Sequence, residues 1–317
     1  MLIDLLLIAG GLALLTVGSD KLVEGSSAIA LKLGVSPLLI GITIVAFGTS
    51  APELIVSINA ALSGNGGISV GNVVGSNIAN IGLILGVASL ITPMAVHVNL
   101  IRRDIPIMIG ISLISGFLIF GAEVSRTEGL LLFSGLLSFL YFSVKWARQE
   151  TPDPALVKEL EAPVVSSDLK TWQAWGWTLL GLAMLAGGSE ALVRGAVSIA
   201  EALGMSQTLI GLTIVAVGTS LPELATSVTA AMKGESDIAV GNVVGSNIFN
   251  ALGILGISAM MRPLPTATFS VVDLGVMVGF AVLMLPMARN DRRILRWEGF
   301  LLLSGYLAYM AWLIRGV

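Results

Sequence analysis

The chain has 317 residues, 55% hydrophobic and 12% charged, with a formal net charge of −3 and a mean hydropathy of +0.93. An ordinary soluble domain carries roughly 25% charged residues, so these values define an integral membrane protein, and the scattered basic residues leave no footprint for nucleic acid. There is no cysteine, which excludes disulfide frameworks, thiolate metal sites and thiol redox chemistry.

Apolar stretches of bilayer-crossing length, about 17–25 residues, occur in order at 2–16 (running on to 31), 37–62, 70–94, 104–121, 127–147, 172–200, 208–232, 240–261, 271–288 and 296–315. The expected fold class is therefore an all-α polytopic membrane protein with ten transmembrane helices. Runs such as LIGITIVAFG and ILGVASLI are apolar on every face, unlike the alternating strands of an outer-membrane barrel. The opening MLIDLLLIAGGLALL lacks the positive charge and cleavage site of a signal peptide and is expected to be retained as the first span. Gly75, Ala79, Gly82 and Gly86 read as small residues for close helix packing.

The chain repeats itself. Positions 41–90 and 211–260, set at an offset of 170, share 29 identities in 50, and GNVVGSNI at 71–78 returns unchanged at 241–248. This predicts two five-helix repeats, 1–147 and 172–317, joined by the polar linker 148–171. An odd number of spans per repeat makes the second copy inverted relative to the first. With the N-terminus outside, the inner loops hold twelve of the seventeen basic residues. The positive-inside rule then puts both termini outside the cytoplasm and the linker within it.

Glu53 is the only charged residue from 33 to 101, and Glu223 the only one from 202 to 232. A carboxylate near mid-span costs roughly 2.5–3.5 kcal/mol on insertion scales and demands a partner. No lysine or arginine shares these spans, so a bound cation is the simplest partner. Pro52 and Pro222 each remove an amide donor and loosen the helix around Gly48–Thr49 and Gly218–Thr219, freeing carbonyl oxygens. Ala46, Ser50, Glu53 and Ser57 share one helical face, and Asn72, Ser76 and Asn80 line the next span; Ala216, Ser220, Glu223, Ser227, Asn242, Ser246 and Asn250 repeat the pattern.

This inventory of carboxylate, amide, hydroxyl and main-chain oxygen suits Ca²⁺ or Na⁺ and opposes zinc or copper. The asparagines and serines equally read as interhelical glue, and the prolines as plain kinks. Asp20, Lys21, Glu24, Glu190 and Arg194 read as helix-end ion pairs, and His97 as an interfacial residue.

GTSAPE with GNVVGSNIAN, and GTSLPE with GNVVGSNIFN, resemble the two repeat motifs of sodium/calcium exchangers, within the cation/Ca²⁺ exchanger superfamily. The resemblance covers essentially the whole chain and is closest to short bacterial calcium/sodium antiporters. It implies that Glu53 and Glu223, with the main-chain carbonyls of Thr49 and Thr219, hold Ca²⁺. It implies Na⁺ sites from those glutamates with Ser50, Ser76 and the Ala216 carbonyl, and with Ser220, Ser246 and the Ala46 carbonyl; Asn80 and Asn250 complete a central polar cluster.

The resemblance further implies that the first and sixth helices slide past the bundle, and that three Na⁺ exchange for one Ca²⁺. Some relatives carry aspartate where this chain has Asn250, and asparagine there argues against K⁺ co-transport. Two carboxylates then leave three Na⁺ at formal +1 and Ca²⁺ at zero, which makes exchange electrogenic. The expected protein is a Na⁺/Ca²⁺ antiporter of the bacterial plasma membrane, not an enzyme, with transported ions in place of cofactors and no obligatory protein partner. The alternative is H⁺/Ca²⁺ antiport, because a buried carboxylate can also return protonated. A magnesium exchanger is disfavoured by the slow dehydration of Mg²⁺, and a channel by the inverted repeat with its matched helix breaks.

Overall fold

The computed structural model describes residues 2–149, 169–205, 216–266 and 269–315. Most of the expected linker 148–171, and the start of the expected 208–232 span, lie outside the described residues.

The elements are helical, as the unbroken apolar runs require. They are α1 (Leu2–Leu33), α2 (Pro37–Thr49), α3 (Ala51–Leu62), α4 (Gly66–Ile91), α5 (Ile105–Ile119) and α6 (Arg126–Gln149), then α7 (Thr171–Ala202), α8 (Ala216–Thr219), α9 (Leu221–Met232), α10 (Ser236–Met261), α11 (Val271–Arg289) and α12 (Arg296–Arg315). Among the described residues, seven helices are long and apolar enough to cross a membrane, and the bent pair α2–α3 makes an eighth. Of the other two expected spans, one is α5, only 15 residues long but entered through a π-helical turn at Leu100–Asp104. The other is represented by α8 and α9. Several boundaries differ from the sequence reading: α4 starts at Gly66 rather than 70 and α10 at Ser236 rather than 240, because their first turns are polar.

Two features organise the bundle. The most enclosed helices, α4 and α10, stand at its centre, and α10 packs on α2 of the other half as well as on its own neighbour α9. Around them, α12 seats on α4 and α6 on α10. Beside this core, α1 and α7 run antiparallel in lengthwise contact. Gly11, Gly18 and Gly25 recur every seven residues on α1, as do Gly181, Gly188 and Gly195 on α7. A Cβ on Gly18 would lie 3.0 Å from the Gly181 carbonyl, and one on Gly181 would lie 2.7 Å from the Gly18 carbonyl, so the two backbones touch directly. Gly86 and Gly82 also pack closely, against α12, but Gly75 meets nothing within 4 Å and is exposed, contrary to its expected packing role.

The halves are tied together at their ends by two-residue strands. β1 (Met94–Ala95) pairs antiparallel with β4 (Arg293–Ile294), and β2 (Glu123–Val124) with β3 (Leu264–Pro265). Adding 170 turns one pair into the other. Arg126 likewise donates to the Met261 carbonyl (3.3 Å) and Arg296 to the Ile91 carbonyl (3.2 Å), satisfying two helix C-termini.

The contacts between α1 and α9 are not repeated at the matching positions. Lys233 forms an ion pair with Asp20 and bonds the Asp20 carbonyl at 3.4 Å, beside a Ser19–Thr229 hydroxyl pair at 2.8 Å. These contacts tie α1 to α9. Shifted by 170, they become Ser63 with Glu190 and Asn59 with Ser189. Instead Glu190 pairs with Arg194 (2.5 Å), Ser189 donates to the Gly218 carbonyl (2.6 Å) and Asn59 is exposed. Lys21 and Glu24 pair at 2.8 Å, but within α1 rather than at its end, because the helix runs on to Leu33; Glu190 and Arg194 are likewise interior to α7.

The α1–α7 seam yields a direct test. On Gly11 a Cβ would meet the Gly188 carbonyl at 2.6 Å, whereas on Gly10 it meets nothing within 4 Å. Gly11→Ala is expected to destabilise the protein by about 1–3 kcal/mol through overpacking. Gly10→Ala should stay within about 0.5 kcal/mol of the parent. Thermal unfolding in detergent compares the two neighbouring substitutions.

Candidate functional site

The site is built on two helix breaks. α2 and α3 meet at Ser50 (φ −83°, ψ 7°) with a bend of 46°, and α8 and α9 meet at Ser220 (φ −90°, ψ 7°). Pro52 and Pro222 occupy the first turns of α3 and α9, where a missing N–H costs nothing. The cost falls on the preceding turn, whose carbonyls lose their usual donor. The carbonyls affected are Gly48 and Gly218, and they find other partners: the Ser50 amide, which bonds Ala46 in ordinary helical register, also points toward Gly48, and Ser189 Oγ donates to Gly218.

Each break brings a carboxylate into the interior at the first turn of its helix. Glu53 and Glu223 are both 1% exposed. The serine of one break holds the glutamate of the other: Ser50 Oγ donates to Glu223 Oε1 at 2.7 Å, and Ser220 Oγ to Glu53 Oε1 at 3.3 Å. Ser50 Oγ also lies 3.1 Å from Ser246 Oγ. The second oxygen of each carboxylate, Oε2, is buried without a hydrogen-bond partner among the described residues. No basic side chain there forms an ion pair with either group.

The asparagines take two roles. Asn72 Nδ2 bonds the Glu53 carbonyl (3.0 Å) and Ser57 Oγ (2.9 Å), while Asn242 Nδ2 bonds the Glu223 carbonyl (3.4 Å) and Ser227 Oγ (3.0 Å). They brace the turns that carry the glutamates. Thr49 Oγ1 donates to Asn242 Oδ1 at 3.1 Å and to the Ala46 carbonyl at 3.3 Å. Ser76 is buried on α4. Asn80 and Asn250 open π-helical turns at Asn80–Leu85 and Asn250–Ile254. The first turn packs on α9, which carries Glu223, and the second on α3, which carries Glu53. Thr219 ends α8; Ala216 begins it, and its side chain lies outside the described residues.

Hydrogen bonds thus link Glu53 with Ser220, and Glu223 with Ser50, Ser246, Asn242 and Thr49, while Ser76, Asn80 and Asn250 lie on the adjoining helices and the Ala46 carbonyl is engaged by both Ser50 N–H (3.1 Å) and Thr49 Oγ1 (3.3 Å). Sequence reasoning missed Asn77 and Asn247. Both are buried, and Asn77 spans between the halves. Their signal was the unchanged repetition of GSNI, off the stripe formed by its neighbours.

Two buried carboxylates and the hydroxyls of Ser50, Ser220 and Ser246 bring together oxygen groups of the kind that suit hard cations. Held among helices long and apolar enough to cross a membrane, they point to the ion-transporting class of membrane proteins. The sodium/calcium exchanger protein family matches residues 3–145 and 173–315. The putative antiporter CaxA of Alkalimonas amylolytica is 43% identical over 98% of both chains. The sodium/calcium exchanger MaX1 of Methanosarcina acetivorans is 37% identical over 97% of both. A solved structure of the sodium-calcium exchanger NCX_Mj, soaked with 10 mM Na⁺ and no Ca²⁺, superposes with a TM-score of 0.85 at 33% identity and 98% coverage of each chain. The chain belongs to the sodium/calcium exchanger family.

The asparagine braces are testable apart from transport. Asn242→Ala removes a buried amide that donates to the Glu223 carbonyl and to Ser227 Oγ and accepts from Thr49 Oγ1. Each lost hydrogen bond is worth about 0.5–1.5 kcal/mol, so a fall in the detergent melting temperature is expected. A melting curve unchanged from the parent would show that the amide braces nothing.

Proposed function

We propose that the protein is a secondary active antiporter that exchanges Na⁺ for Ca²⁺ across a bacterial inner membrane by alternating access. The carrying observation is the reciprocal serine–glutamate pairing, which leaves one oxygen on each of two buried carboxylates free to meet a cation. Ca²⁺ is held by Glu53, Glu223 and the Thr49 and Thr219 carbonyls. Na⁺ is held by the same glutamates with Ser50, Ser76 and the Ala216 carbonyl on one side, and with Ser220, Ser246 and the Ala46 carbonyl on the other. The ions compete for shared oxygens. An uncompensated pair of buried charges costs several kcal/mol per ion, so the bundle changes its facing only when loaded, and the two fluxes are coupled.

The architecture proposed is ten spans in two inverted five-helix repeats, 1–147 and 172–317, around the cytoplasmic linker 148–171, with both termini outside. Three observations support it: paired strands that interconvert at an offset of 170, matched helix breaks and the bias of basic residues. The α1–α7 pair is the element that slides. Two carboxylates against three Na⁺ make exchange electrogenic, and Asn250, carrying no charge, makes it independent of K⁺.

The test is ⁴⁵Ca²⁺ uptake into proteoliposomes loaded with Na⁺, under a Na⁺ gradient or a pH gradient. Uptake is expected with the Na⁺ gradient, stimulated by an inside-positive potential, and reduced to the level of empty vesicles by Glu53→Gln or Glu223→Gln. Those variants should fold, since glutamine keeps the volume and the acceptor oxygen. Uptake with the pH gradient alone replaces Na⁺ by H⁺ as the coupling ion. Parental uptake in the glutamine variants overturns the site.

A further inference from the structure

On α4 and α10, against the helices that carry the glutamates, lies a chain of amides whose orientation a backbone atom settles. Asn77 Nδ2 donates to the main-chain carbonyl of Asn247 at 3.4 Å. A carbonyl only accepts, so the nitrogen of Asn77 is the atom facing it and Oδ1 is the atom facing the other way. That oxygen receives a bond from Asn250 at 3.1 Å, which must come from Asn250 Nδ2. The Asn250 amide is therefore fixed in turn, and its Oδ1 is left buried, without a hydrogen-bond partner among the described residues. Asn250 opens the π-helical turn that packs on α3, the helix of Glu53.

The matching residues behave differently. Asn247 Nδ2 turns back to the Val243 carbonyl of its own helix at 3.1 Å. Asn80, the counterpart of Asn250, has neither amide atom bonded among the described residues. Identical motifs thus hold one asparagine amide rigidly and leave the other without a hydrogen-bonded orientation.

We propose that Asn77 is a positioning residue for ion exchange: it fixes the Asn250 amide so that a carbonyl oxygen, rather than an NH₂ group, is offered to the transported cation. The proposal rests on the assignment of this cluster as the ion site. A flipped asparagine presents two hydrogens to a cation and repels it, so a freely rotating amide is a poorer ligand. The two asparagine-opened turns are then unequal: Asn250 is preset as an acceptor, whereas Asn80 must be oriented by the ion itself.

The experiment is a double-mutant cycle read as the Ca²⁺ concentration giving half-maximal Na⁺-driven uptake in proteoliposomes, with folding checked by thermal unfolding. Asn77→Ala in the parent is expected to raise that concentration by about fivefold, within the coupling usual for residues of one hydrogen-bond network. In the Asn250→Ala background, where there is no amide to orient, the same substitution should raise it no further. Equal shifts in both backgrounds overturn the proposal and leave Asn77 a packing residue. If Asn77→Ala does not fold, Asn77→Leu, which fills a similar volume and likewise carries no amide, is taken through the same cycle: it should raise the half-saturating concentration by about fivefold in the parent and no further in the Asn250→Ala background, and equal shifts in the two overturn the proposal. Asn247→Ala combined with Asn80→Ala is the matched cycle, and its shifts are expected to add; strong coupling there would overturn the inequality of the two turns. Absence of Na⁺-driven Ca²⁺ uptake by the parent protein would instead remove the functional assignment itself.

Discussion

Two buried carboxylates, without a basic partner among the described residues, form the constraint that the rest of the molecule serves. The penalty for ionising either is large in a membrane interior, and like charges compound it. The fold meets this by placing each glutamate at the start of a helix, where the backbone dipole favours negative charge, and by donating to it a hydroxyl from the opposite break. The serine–glutamate exchange makes each carboxylate dependent on the other half of the chain. Neither repeat contains a finished site.

That dependence explains the division of the bundle. A site shared between halves needs a common frame, and α4 and α10 supply it, enclosed on nearly all sides and carrying the asparagines that brace the glutamate turns. Small residues let the neighbours approach this frame: α12 lies over Gly86 and α6 over Gly256. The α1–α7 pair has a different character. Its two backbones touch through a glycine repeat, while much of its outer surface is apolar and exposed. It forms a tight unit with itself and a lighter one with the core.

Much of this was legible in the sequence because membrane insertion and duplication write strong signals. Glu53 and Glu223 stood out as lone charges in apolar runs, and Pro52 and Pro222 marked the breaks three-dimensionally realised at Ser50 and Ser220. Helix starts were less legible, since α4 begins with two glycines that hydropathy reads as loop. The π-helical turns at Asn80 and Asn250 were not legible at all. They arise from packing against the facing half, and a helix accepts an extra residue without any change of composition. Asn77 escaped for a related reason: helical spacing places it off the polar stripe, and its contacts with Asn247 and Asn250 across the halves are what give it a role.

The ion pair between Lys233 and Asp20 carries a last consequence. Duplication supplies a scaffold with two equivalent ends, yet at the other end the matching positions hold a serine and a glutamate already engaged elsewhere. A partly exposed pair of this kind contributes about 0.2–1 kcal/mol. In the proposed alternating antiport that sum would bear on a two-state balance, where 1 kcal/mol moves the ratio about fivefold. The gradients would still fix where net flux stops, while an ion pair made at one end and not at the other would weight the two facings unequally.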